Sequence, residues 1–325
     1  MYNKGLNILF LFTLTTGIAL MITGKTWFSV WLGLEINMMS FLPIIMLTSP
    51  RGSEGGLKYF LVQAVASLII LQTSFSWFFF TAPAFLLMAP LALKLGMAPL
   101  HFWLPEVVKA LGWSENMILL TLQKVGPLYL LSASSMMNSL TLIVLGLFSA
   151  VVGAVGGLNE TDMRKLMAFS SIGHMGWMAA GMAVATMSWT LYLITYMIMA
   201  LSVMMLLKKM KILYLSQLSS KGQDSIFMMV MLLSMGGFPP LLGFAPKWAI
   251  LMDSLEVSLL VAVMLISASV ITLYYYIRAG LAVLTFMGPN QGFLTPHSTP
   301  LFLMLALLNM LGGGVYMLMW SSLVL

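Results

Sequence analysis

Four ionisable side chains, Glu35, Lys94, Lys124 and Lys247, stand in stretches of the 325-residue chain that are otherwise almost wholly apolar. Each stretch is about 20 or more residues long, enough for a helix to cross a hydrocarbon core. An ionised group at the centre of such a helix costs about 2.5–3.5 kcal/mol on insertion scales, so these positions require a reason. The chemistry these side chains support is proton transfer. Desolvation can bring a lysine's pKa down to about 5–6. A carboxylate about 4 Å away, at an effective dielectric near ~20, is worth about 4 kcal/mol, or roughly three pKa units. Opening and closing a glutamate–lysine contact would therefore switch a lysine between holding and releasing a proton near neutral pH. Glu35 is expected to pair with Lys94. The plainer alternatives are a snorkelling stem that carries the ammonium to the interface and, for Glu35, a static ion pair. Lys124, at mid-span, is the least suited to snorkelling.

Two of the lysines lie beside sequence that breaks helices. "LKLGMAPLHFWLPE" carries Gly96, Pro99 and Pro105 after Lys94, and "GGFPPLLGFAPKWAI" carries Gly237, Pro239, Pro240 and Pro246 before Lys247. Proline removes a backbone donor and clashes with the preceding turn, freeing carbonyls that lipid cannot satisfy. Such backbone persists only where it is buried in protein or lines a wet cavity, and there it can hydrate and orient an ammonium.

The composition fixes the setting. Hydrophobic residues make up 61% of the chain and charged residues 7%, with a mean hydropathy of +1.01, against about 25% charged in an average soluble domain. The fold expected is an all-α polytopic membrane protein. With no cysteine, disulfides, thiolate metal sites and iron–sulfur ligation are excluded. Three histidines and nine carboxylates are too few and too scattered for a metal centre. The 32 methionines read as flexible apolar filler. No basic run is interleaved with aromatics on a polar face, so no nucleic-acid partner is expected.

A window of about 20 residues places spans near 5–24, 27–47, 57–80, 84–104, 113–135, 140–157, 166–184, 188–207, 226–252, 257–286 and 300–322. That makes about eleven helices, the fourth and ninth broken. Interrupted segments at matching positions suggest inverted five-helix repeats over 5–135 and 140–286, followed by an additional C-terminal helix at 300–322. The single membrane domain then fills residues 1–325. Basic residues check the count, because they accumulate on the side where synthesis occurs. One side receives Lys4, Arg51, Lys58, Lys109, Arg164, Lys165, Lys208, Lys209, Lys211, Lys221 and Arg278, and the other only Lys25. The N-terminus is therefore expected inside. The opening segment reads as a first span rather than a cleaved signal, and no import leader is expected ahead of it.

Six ordered blocks carry a resemblance: "WLGLEINMMSFLPI", "KYFLVQA", "LKLGMAPLHFWLPEV", "LQKVGPLYLL", "GGLNETDMRKLMAFSSIGHMGWM" and "GGFPPLLGFAPKWAI". Together they resemble the antiporter-like membrane-arm subunits of proton-pumping NADH:ubiquinone oxidoreductase, respiratory complex I, of the animal mitochondrial type. The resemblance implies that Glu35 pairs with Lys94 on the first broken helix, that Lys124 is the central lysine, and that Lys247 serves the exit side. It implies a hetero-oligomer with other membrane-arm subunits in the mitochondrial inner membrane, the N-terminus on the matrix side and the C-terminus on the intermembrane-space side. NADH, FMN, iron–sulfur clusters and ubiquinone belong, on this view, to partner subunits, with no cofactor in this chain. Mitochondrial encoding would account for the methionine excess.

Among the remaining candidates, His174 in "SSIGHMGW" is either a satisfied buried histidine or part of the internal proton wire. His101 reads as structural and His297 as a loop residue. Glu160, Asp162, Arg164 and Lys165 read as a solvated turn or a subunit contact. Phosphate-binding glycine loops are absent from any strand–helix setting, so nucleotide binding is not expected. Two rival readings stay open from sequence: a free-standing monovalent cation/proton antiporter using the same groups, and a non-transporting structural subunit whose buried charges hold helices together.

Overall fold

The computed structural model describes residues 4–48, 52–79, 85–135, 139–184, 188–220, 223–285, 307 and 309–314. Arg51, Lys221, His297 and most of the expected 300–322 span lie outside the described residues. The chain forms two compact units, Met1–Leu142 and Ile143–Leu325.

The first unit holds α1 (Lys4–Thr23), α2 (Trp27–Thr48), α3 (Gly52–Phe79), α4 (Phe85–Leu95), α5 (Trp103–Ala110), α6 (Trp113–Leu120) and α7 (Leu122–Ser135). The second holds most of α8 (Ser139–Gly156), then α9 (Met163–Val184), α10 (Ser188–Met210), a 3-10 turn at Leu215–Ser220, α11 (Gln223–Gly236), α12 (Phe244–Val257) and α13 (Leu259–Thr285). Among the described residues every regular element is helical, apart from one isolated antiparallel bridge between Asp162 and Tyr214. Six helices, α1, α2, α3, α8, α10 and α13, are long and apolar enough to cross a membrane. Their apolar residues point outward as well as inward: Ile8, Phe12, Leu61 and Leu68 are all exposed, as expected where lipid or a neighbouring chain is the solvent.

The chain leaves helical geometry at two seven-residue stretches, 96–102 and 237–243. Both follow one pattern, G-x-x-P-L-x-x-aromatic-x-P, running Gly96, Pro99, Leu100, Trp103, Pro105 and again Gly237, Pro240, Leu241, Phe244, Pro246. Both open with a Schellman motif. Gly96 N–H donates to Leu93 O at 3.2 Å and Met97 N–H to Ala92 O at 2.9 Å; Gly237 N–H donates to Ser234 O at 3.0 Å and Phe238 N–H to Leu233 O at 3.1 Å. Gly96 and Gly237 sit at φ +71° and +82°, the left-handed conformation this motif demands and side chains resist. Pro105 and Pro246 are each the third residue of the helix that follows. In that first turn a missing N–H leaves no helical bond unmade, so they start α5 and α12 rather than interrupt them.

The stretch read from sequence as one span at 113–135 has a discontinuity of its own at Thr121, between α6 and α7. Thr121 sits at φ −118°, ψ −78°, its hydroxyl donates back to Met117 O, and Lys124 N–H donates to Thr121 O at 3.1 Å in a tightened turn. Back-bonding of a threonine competes with the helical ladder. Pro127, inside α7, removes a further donor.

In the second unit α9 is buried on nearly every face. Close backbone packing makes this possible: a Cβ placed on Gly153 of α8 would lie 2.4 Å from Gly173 N of α9.

Candidate functional site

Of the sequence-predicted residues, Lys94 and Lys124 line one cavity in the first unit, and His174 and Lys247 line one cavity in the second. All four are buried.

The first cavity is bounded by Asn37, Tyr59, Gln63, Lys94, Gln123 and Lys124 together with apolar residues of α2, α4, α5, α6 and α7. Space for water centres within it is about 20 Å³, and about 10–15 Å³ by that measure holds one water. Lys94 lies in the last turn of α4, where the negative end of the helix dipole favours a cation. Its Nζ donates to Gln63 O at 3.3 Å, and Gln63 Nε2 donates to Lys94 O at 3.3 Å. The side chain of Gln63 thus takes a carbonyl that the Schellman motif leaves open. Trp103 Nε1 donates to Leu93 O at 2.9 Å. Across the cavity Gln123 Oε1 accepts from Asn37 Nδ2 at 2.8 Å and from the Tyr59 hydroxyl at 3.4 Å. The far atoms of that pair, Asn37 Oδ1 and Gln123 Nε2, are buried with no hydrogen-bond partner. A buried polar atom without a partner costs about 1–3 kcal/mol, and a bridging water is the economical remedy.

Glu35 is half-buried on α2, one residue from the cavity-lining Leu34 and two from Asn37. No ion pair within 4.0 Å joins it to Lys94: the pairs among the described residues are Lys58 with Glu54 and Glu106, Arg164 with Asp162, and Lys165 with Glu160.

The second cavity is bounded by Ser170, His174 and Trp177 of α9, Lys247 of α12, and Thr272, Tyr275 and Tyr276 of α13. It gives about 10 Å³ to water centres. Lys247 sits in the first turn of α12 but reaches back, and its Nζ donates to Gly236 O at 2.9 Å, the terminal carbonyl of α11. The ammonium also lies 5.8 Å from the centroid of the Trp177 ring, within cation–π range. A Cβ on Gly237 would lie 3.0 Å from Nζ and press on the lysine, while the φ of +82° itself favours glycine. His174 Nδ1 shares a 2.8 Å hydrogen bond with the Tyr192 hydroxyl, and its ring lies 5.1 Å from that of Tyr196. The stretch 237–243 is held from the C-terminal segment: Leu242 N–H donates to Asn309 O at 3.1 Å, and Asn309 Nδ2 donates to Ser202 Oγ at 2.9 Å.

His101, read as structural, hydrogen-bonds Pro99 O through Nδ1 at 3.2 Å. The 157–162 loop carries the pairs Arg164–Asp162 and Lys165–Glu160, and Arg278 of α13 donates to its carbonyls at Leu158 and Glu160. Sequence reasoning passed over Asn37, Gln63, Gln123, Ser170, Tyr192, Tyr196, Tyr275, Tyr276 and Asn309. Gln63 and Gln123 stood in the quoted blocks "KYFLVQA" and "LQKVGPLYLL", and the run Tyr274–Tyr276 was an unusual polar break in an apolar stretch.

This geometry defines a polytopic helical membrane protein with buried lysines, of which Lys94 and Lys247 bind backbone carbonyls of neighbouring helices. The chain belongs to the family described as NADH:quinone oxidoreductase/Mrp antiporter, transmembrane, whose profile matches residues 72–272. It is 34% identical to NADH-ubiquinone oxidoreductase chain 2 of Locusta migratoria, over 99% of this chain and 100% of that one. It is 38% identical to chain 2 of Suncus etruscus, over 92% and 90%. A solved chain in respiratory complex I from Thermus thermophilus shares the fold at TM-score 0.83 with 24% identity, covering 97% of this chain and 80% of that one. A chain of the Mrp complex from Dietzia sp. shares it at TM-score 0.74 with 16% identity, over 87% and 61%.

Proposed function

We propose that this chain is an antiporter-like core subunit of the membrane arm of a proton-pumping NADH:ubiquinone oxidoreductase, in the mitochondrial inner membrane and in hetero-oligomeric contact with other membrane-arm subunits. The observation that carries the reading is the pairing of Lys94 with Lys124, and of His174 with Lys247, in two enclosed polar cavities. Family membership and the names of the relatives agree with it.

In each cavity a lysine lies at the negative end of a helix. The ammonium bound to a backbone carbonyl, Gln63 O for Lys94 and the terminal Gly236 O for Lys247, is the proton-holding state. Withdrawing Nζ from that carbonyl removes the favourable dipole interaction and leaves a desolvated charge, which sheds its proton to water. Glu35, on α2 beside the cavity-lining Leu34, is placed to favour the holding state of Lys94. Each proton moved against the membrane potential costs about 2.3 kcal/mol per 100 mV. The energy comes from redox chemistry in partner subunits, which carry NADH, FMN, iron–sulfur clusters and ubiquinone; this chain does no bond chemistry.

The finer architecture belongs to the same proposal: about eleven spans, α4–α5 and α11–α12 each forming one broken span. The recurrence of the seven-residue break supports inverted five-helix repeats. The one-sided distribution of basic residues supports an N-terminus on the matrix side and a C-terminus on the intermembrane-space side.

Native electrophoresis of mitochondrial membranes tests the assignment. The chain is expected to comigrate with NADH dehydrogenase activity. A chain running apart from that activity as a small homo-oligomer would instead indicate a free-standing antiporter.

A further inference from the structure

We propose that the hydroxyls of Tyr275 and Tyr276, together with Ser170, form a relay that exchanges protons with Lys247. The inference rests on the proton-translocating reading of the second cavity.

Both tyrosines are buried, at 0% and 1% exposure, and both line the cavity that holds Lys247 and His174. Among the described residues their hydroxyls are two buried polar atoms with no hydrogen-bond partner. Ser170, whose hydroxyl donates to Met167 O at 2.8 Å, lines the same cavity. Leaving two buried hydroxyls unsatisfied is costly, and the cavity they share has room for about one water, which would satisfy both. Apolar packing alone gives no reason for these oxygens, since phenylalanine would fill the same space.

The two rings also reach in different directions. The Tyr276 ring lies against Gly236, where an added Cβ would meet it at 3.4 Å, and Gly236 O is the carbonyl that binds Lys247. The Tyr275 ring lies against Gly157, where an added Cβ would meet it at 2.7 Å, and Gly157 is followed within two residues by exposed Asn159. The ring pair, with centroids 4.7 Å apart, therefore packs between Gly157 and Gly236. The 157–162 loop is firmly placed: Arg278, one turn from Tyr275, holds its carbonyls, and Met163 N–H donates to Leu213 O at 2.9 Å. The ring of His174 lies 5.1 Å from that of Tyr196.

The transfer balances without an ionised tyrosine. Each hydroxyl passes its own proton toward Lys247 and takes another from the donor behind it in the relay, so it is neutral before and after, and neutral Lys247 becomes the ammonium.

The test is the number of protons pumped per NADH oxidised by the assembled complex in inner-membrane vesicles, for Tyr275→Phe, Tyr276→Phe and Lys247→Met. A relay in series predicts that either phenylalanine variant loses as much pumping as Lys247→Met, with assembly unchanged on native gels. Full pumping in both phenylalanine variants, alongside loss in Lys247→Met, overturns the relay and leaves the proposed function standing. Full pumping in Lys247→Met overturns the proposed function and the relay with it. Should the phenylalanine variants fail to assemble, Ser170→Ala, which removes one atom, decides: loss supports the relay and full pumping overturns it.

Discussion

Lys247 donates from its ammonium to the carbonyl of Gly236 at 2.9 Å, and a Cβ on the next residue, Gly237, would press on that lysine at 3.0 Å. In the first unit Lys94 occupies the last turn of α4 beside the equivalent glycine, Gly96. A Schellman motif ends each half-helix and leaves its last carbonyls open, and a lysine or its partner closes them. That shared arrangement explains why an apolar chain keeps a positive charge beside each break.

Gly237→Ala and Gly96→Ala separate backbone strain from lysine placement. Both force a side chain into the left-handed region, at a cost of about 1–2 kcal/mol, and both are expected to lower the thermal stability of the assembled complex. The added Cβ at 96 meets Leu104 at 2.9 Å, whereas at 237 it meets Lys247. Proton pumping is therefore expected to fall further in Gly237→Ala; equal pumping losses would count against the lysine contact.

Gln123→Met removes the acceptor shared by Asn37 and Tyr59. Two buried donors lose their partner, each worth about 1–3 kcal/mol. Differential scanning of the purified complex is expected to show a lower unfolding temperature, and an unchanged temperature would mean that water already satisfies both groups.

Tyr192→Phe deprives His174 of its 2.8 Å hydrogen bond while keeping the ring. If His174 belongs to the wire, the pumping rate falls with assembly intact. A variant that loses assembly and keeps its pumping per complex would make the histidine purely structural.

A density map of the assembled complex at resolution sufficient for waters is expected to show ordered solvent against Asn37 Oδ1 and Gln123 Nε2, and against the Tyr275 and Tyr276 hydroxyls. Both cavities seen dry in every captured state would remove the medium for transfer.

The charged members of the site were legible because charge in a hydrophobic run is costly: Lys94, Lys124, Lys247 and Glu35 announce themselves against apolar neighbours. His174 stood out in the same way. The breaks at 96–102 and 237–243 were legible from glycine and proline, although Pro105 and Pro246 turned out to begin helices. Neutral polar groups carry no such signal. Asn37, Gln63 and Gln123, and separately Tyr275 and Tyr276, become visible only when separate helices bring their polar atoms to the two cavities. The discontinuity at Thr121 was hidden for a related reason, because threonine in a helix is ordinary until its hydroxyl is seen to bond backward. Asn309 lies far in sequence from Ser202 and Leu242, and only the fold joins them.

The central claim is that buried ammonium groups carry protons, and Lys124→Met tests it most directly, because methionine keeps much of the stem and removes the charge. The measurement is protons pumped per NADH oxidised, in membrane vesicles holding the assembled complex. A ratio clearly below that of the unaltered complex is the predicted result. An unaltered ratio, in a complex that assembles and oxidises NADH normally, would contradict the account and leave Lys124 a structural residue.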